Sequence, residues 1–109
     1  MEHITVKQGV VTVCLKGEID HHSAQTWRET IDTYVQSVTC QMLRMDFGGV
    51  TFMDSSGVGL IMGRYRLMQR LGGALELTGV STKIGVMLRL AGIERLNILK
   101  GENMYESHQ

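Results

Sequence analysis

The sequence predicts an α/β fold, a mixed sheet that opens with a β-hairpin and continues as strands alternating with helices packed on it. Two short alternating runs flank Gln8-Gly9 near the start. After Ser23 the apolar spacing changes from two to three and four, the mark of a helix. Glycine and serine then punctuate the remaining runs, with no proline anywhere in the chain.

Ile4 to Lys7 and Val10 to Lys16 read as the hairpin strands; in the second, Val11, Val13 and Leu15 alternate with Thr12, Cys14 and Lys16. Ala24, Trp27, Ile31, Tyr34 and Val38 place one apolar stripe on a helix from Ser23 that ends near Ser37. Met42 to Phe47 is the next strand, Gly48-Gly49 a link, and Val50 to Met53 a further extended run. A helix follows from about Ser55 to Arg70, stopped by Gly72-Gly73. Ala74 to Thr78 is a short strand, and Ser81 caps a helix through about Ala91 that Gly92 stops. Leu96 to Leu99 forms a last edge strand, and the tail from Glu102 is polar, a short helix or a frayed end.

At 109 residues the chain, 1–109, is expected to be a single domain, long enough to bury roughly 65% of the surface its unfolded form exposes. Lys plus Arg (11) balances Asp plus Glu (11), so the basic excess that draws nucleic acid or anionic lipid is missing. The longest uncharged stretch, Thr33 to Leu43, is far shorter than the roughly 20 apolar residues of a membrane span. No signal peptide is read at the start. Cys14 and Cys40 lie in apolar surroundings without CxxC spacing and read as reduced thiols. The expectation is a cytoplasmic, monomeric protein that works through a surface, with no nucleic acid or membrane as partner.

Phe52 to Tyr65, FMDSSGVGLIMGRY, carries the most information, joining a strand end, a carboxylate, two adjacent hydroxyls and three glycines. Each glycine inside a helix costs roughly 0.5 to 1 kcal/mol relative to alanine, so some compensation is required. Gly59 and Gly63, four apart, suggest a smooth face lying close on the sheet. Gly57, in the first turn, suggests backbone amides left open to a ligand or partner. Asp54 or Ser55 is a candidate N-cap; since one residue caps, at least one hydroxyl of Ser55 and Ser56 is left beside a glycine. The second charged segment is KGEIDHH, Lys16 to His22. If its strand neighbours the one before Asp54, Asp20 and Asp54 converge near the two serines at the carboxyl ends of parallel strands, where ligands of open α/β sheets bind. Capping is the competing reading of Asp20, and a solvated loop that of His21 and His22.

Catalytic patterns fail one by one. A nucleophile elbow needs GxSxG, and here Asp54 stands two before Ser56, its charge opposed to an oxyanion. The GxGxxxG spacing is one residue too long for a dinucleotide fingerprint, and there is no Walker A sequence. His and Cys offer no metal-ligand spacing. The chain is expected to have no catalytic residues, no metal and no cofactor.

On GEIDHHSA (Gly17 to Ala24) and FMDSSGVGLIMGRY, together with LGGALEL (Leu71 to Leu77) and RLAGIERL (Arg89 to Leu96), the chain resembles the STAS-domain anti-sigma factor antagonists, in particular their sporulation branch. The likeness covers nearly the whole chain, with two departures: Ser81-Thr82, with Gly85 further into the helix, stands where the family usually has Ser-Pro, and the C-terminal tail is short for the family. The resemblance implies a STAS-type fold and a partner-switching role. The unmodified antagonist binds an anti-sigma factor that is also a serine kinase, freeing a sporulation sigma factor; phosphorylation ends binding and a serine phosphatase restores it. It further implies Ser56, the serine before glycine in DSSG, as the phosphate acceptor, and Asp20, His21, Asp54, Ser55, Ser56 and Gly57 as the partner-binding set. Alternatives are an interaction module of a stress-signalling assembly, a transporter regulatory domain, or a nucleotide binder or hydrolase using the Ser56 helix start.

Overall fold

The computed structural model of the chain describes residues 3–100. Its strands β1 (Ile4–Lys7), β2 (Val10–Ile19), β3 (Met42–Met53) and β4 (Ala74–Thr78) form one mixed sheet in sequence order, β1 antiparallel to β2 and the other two pairs parallel. Helices α1 (His21–Ser37), α2 (Ser55–Leu71) and α3 (Thr82–Leu90) alternate with the later strands, and a 3-10 turn spans Ile93–Leu96. This is the expected α/β architecture. In the hairpin, Gln8 and Gly9 both have positive φ, 53° and 83°, the two-residue turn whose twist matches that of the flanking strands.

Val11, Val13 and Leu15 of β2, Leu43, Met45 and Phe47 of β3, and Leu75 and Leu77 of β4 are buried. Between them, Thr12, Cys14, Arg44 and Glu76 lie on the more open side, where Arg44 Nε meets Glu76 Oε1 at 3.0 Å. Cys14 is therefore exposed, contrary to its apolar reading, because it falls on the even positions of β2; Cys40 is buried, and both are free thiols. α1 buries Ala24, Trp27, Ile31 and Val35 against β2 and α2, while α2 buries Leu60, Ile61, Leu67 and Met68 against β3 and β4. Ile84 and Leu88 of α3 and Ile93 complete the core.

Four boundaries differ from expectation. β2 runs on to Ile19 through Gly17, at φ 76°, with register shifts on either side of that segment, a bulged strand end rather than a loop. β3 continues through Gly48-Gly49 without a break. A Cβ on Gly49 would sit 3.0 Å from Leu15 O and from Lys16 Cβ, so this glycine admits the bulged neighbour instead of ending the strand. α1 begins at His21, two residues early, and its stripe turns inward at Val35, leaving Tyr34 half-buried and Val38 exposed past the last turn. Finally, Leu96 to Leu99 is not a strand. Gly92 and Asn97, both left-handed, bracket the 3-10 turn, and only Leu99 bridges to Leu77. The polar tail from Glu102 lies outside the described residues.

Candidate functional site

Ile19 and Met53 are register partners at the ends of the parallel strands β2 and β3, and Asp54 N–H donates to Ile19 O at 3.1 Å. The two following residues, Asp20 and Asp54, are thus brought side by side, each as an N-cap. Asp20 Oδ1 accepts from Ser23 N–H at 2.9 Å while Ser23 Oγ accepts from Asp20 N–H at 3.0 Å, a reciprocal capping box in which serine takes the usual Glu position. The backbone N–H of Ser23 holds the Asp20 carboxyl below its ordinary value. Ser23 Oγ also donates to Glu18 O at 2.8 Å. His21 and His22 occupy the exposed first turn of α1, not a loop.

Asp54 caps α2 by accepting from Ser56 N–H at 2.8 Å. Ser55 is exposed and Ser56 half-buried, and neither hydroxyl forms a hydrogen bond among the described residues. The expectation for the glycines is reversed. Gly57 is buried, its N–H donates to Asp54 O at 2.9 Å, and a Cβ there would fall 2.3 Å from Met53 Cγ. Its amide is spent and its missing side chain makes room for Met53. Gly59 and Gly63 are the open ones: a Cβ on either meets nothing within 4 Å, and neither packs on the sheet.

Those two glycines instead form part of a groove of about 560 Å³ between α1 and α2. Ser56 stands at one end of it, with His21, Ala24, Gln25 and Arg28 along α1 and Gly59, Leu60, Gly63, Arg64 and Arg66 along α2. The repeat of positions three and four apart on both helices is what lines a shared seam. Arg64 is 6% exposed; its Nε lies 2.9 Å from Asp32 Oδ1 without the alignment of a hydrogen bond, Nη2 donates to Asp32 Oδ2 at 3.3 Å, and Nη1 to Leu60 O at 3.4 Å. Burial pushes the Asp32 carboxyl up against the pull of Arg64. Arg28 and Arg66 are exposed and form no ion pair among the described residues. Sequence reasoning missed this groove. Its signal was present as i, i+3, i+7 on each helix (21, 24, 28 and 56, 59, 63), but which faces met required the pairing of α1 with α2. No helix is long and apolar enough to cross a membrane, and no cluster of metal-ligating side chains occurs, among the described residues.

A family model for the STAS domain matches residues 3–109. An anti-sigma F factor antagonist from Paenibacillus polymyxa is 34% identical over 96 residues, 88% of this chain and 80% of the relative. Among solved structures, the anti-sigma factor antagonist SpoIIAA in its unphosphorylated form aligns with TM-score 0.80 and 27% identity, covering 95% of this chain and 90% of that one. The Bacillus cell fate determinant SpoIIAA in its phosphorylated form aligns with TM-score 0.71 and 27% identity, over 95% and 94% of the two chains. Family, sequence relative and sheet topology agree, and the chain belongs to the STAS domain family.

Proposed function

We propose that this protein is a phosphorylatable anti-sigma factor antagonist. Unmodified, it binds an anti-sigma factor that doubles as a serine kinase and so releases a sporulation sigma factor; phosphorylation of Ser56 switches binding off, and a serine phosphatase resets it. It acts in the cytoplasm as a binding protein rather than an enzyme. The observation that carries this reading is the Ser56 hydroxyl on the first turn of α2, unbonded among the described residues and next to the paired Asp54 and Asp20 caps, in a chain similar to a named anti-sigma F factor antagonist. SpoIIAA, the structural neighbour, is itself solved in both phosphorylated and unphosphorylated forms.

The switch follows from charge. A phosphoryl group adds about −1.5 to −2 charges where two cap carboxylates already stand. At ~6 Å and an effective dielectric of ~20, each unit-charge pair between the phosphate and an acidic group of a partner costs ~3 kcal/mol before screening, and one or two kcal/mol after it. A partner that presents an acidic group to this surface is rejected, while the α2 N-terminus tolerates the phosphate within the monomer. Affinity changes and the fold does not. In titrations against the anti-sigma factor with ATP present, Ser56→Ala stays bound and Ser56→Asp binds at least tenfold more weakly; mass spectrometry of the kinase-treated protein maps the phosphate to Ser56. Equal binding by the two variants, or phosphate at another residue, would sink the proposal.

A further inference from the structure

We propose that the α1–α2 groove is the receptor for the phosphoryl group of Ser56: once attached, the phosphate turns into the groove and is held in cis by Arg28, with His21 as its second contact. The inference rests on the reading of Ser56 as the acceptor and adds where its phosphate goes.

Ser56 is itself a lining residue of the groove and its hydroxyl is unbonded among the described residues. The lining contains three guanidinium groups and no carboxylate. Arg64 is committed to Asp32, whereas Arg28 and Arg66 form no ion pair among the described residues, so their charge is available. The floor is open at Gly59 and Gly63, where even a Cβ meets nothing within 4 Å. Side chains on a helix lean toward its N-terminus, so Arg28, two turns below His21 and about 10 Å along the axis, extends back toward the level of Ser56. Arg66 lies about 15 Å along α2 from Ser56 and supplies field rather than contact. The charged and titratable groups around the phosphate are His21, His22, Arg28 and Asp32 from α1, Arg64 and Arg66 from α2, and the two caps Asp20 and Asp54; Asp32 is paired with Arg64, is also attracted by Arg28, and lies outside the groove lining. Neither cap lines the groove. Repulsion from the caps and attraction from the arginines therefore point the phosphate the same way, and a dianion met by guanidinium gains charge-assisted, potentially bidentate hydrogen bonds.

The test places phosphoserine at position 56 of the full chain by genetic encoding, so that it does not depend on any kinase. The second ionisation of the phosphate is followed by phosphorus NMR in the folded protein and in the same protein unfolded in urea. Neighbouring cations favour the dianion, so the folded value is expected to fall below the unfolded one by about half a unit or more. Because the α2 N-terminus acts in the same direction, the deciding comparison is Arg28→Gln, at an exposed site with no ion pair among the described residues, which leaves folding intact. It should return at least half of the shift, Arg28→Lys should keep most of it, and the Arg28 Nε–H resonance should move when phosphate is present. Identical titrations for the parent and Arg28→Gln, with an unmoved Arg28 resonance, overturn the proposal. Failure of kinase mapping at Ser56 would instead remove the parent reading and leave this titration standing.

Discussion

The two helix starts at the edge of the parallel strands are built alike and end differently. Both follow a strand end by one residue, both are capped by aspartate, and the caps are neighbours because Ile19 and Met53 are register partners. At α1 the circuit closes: the Ser23 hydroxyl receives Asp20 N–H and reaches Glu18 O. At α2 the circuit stays open: Asp54 takes the Ser56 N–H, and the Ser56 hydroxyl is left unbonded among the described residues, beside a cationic groove. A serine used by its own helix cap is structural, whereas a serine whose backbone alone is used keeps its oxygen for chemistry. Beside the open start, Gly57 packs closely on the Met53 side chain.

The sharpest way to break the comparison is at the glycines. Gly57→Ala puts a Cβ into the buried Met53 side chain and should destabilise the protein by about 2 kcal/mol or more, while Gly59→Ala, in open space within the same helix, should stabilise it by about 0.5 to 1 kcal/mol. Urea unfolding followed through Trp27 reads both; equal signs for the two would mean that Met53 yields freely. Next in size is the serine pair. Ser23→Ala removes half of a capping box and should cost about 1 kcal/mol, and Ser56→Ala should leave the unfolding midpoint within error, since no folded-state bond is lost. A comparable loss at Ser56 would show that its hydroxyl is structural after all. The smallest effect is with pH. The Ser23 N–H lowers the Asp20 carboxyl from its ordinary 3.8, so its contribution is present above that value and lost as pH falls through the folded one. Asp20→Asn should therefore flatten the loss of stability below about pH 4, seen by acid titration of circular dichroism. An unchanged slope would remove Asp20 from the acid response.

Much of this was legible beforehand for a physical reason. Element type follows from local periodicity and punctuation, and the hairpin at Gln8-Gly9, the α2 start at Ser55 and the stop at Gly72 are local events. The misreadings share the opposite character. Gly49 looked like a link and proved a close approach to Leu15; Gly57 looked open and proved filled by Met53. Cys14 looked buried and lay on the open face. In each, the missing fact was what stands across from the residue.

By itself the chain determined its alternation of strands and helices and the DSSG segment that marks the family, because these depend on neighbours in sequence. Only the tertiary structure decided which serine oxygen stays free, which glycine is indispensable, and that Arg28 of α1 lines one groove with Ser56, Arg64 and Arg66 of α2. Hydrogen-bond partners and close contacts between α1, α2 and the strand ends are set by packing in space, and no periodicity along the chain encodes them.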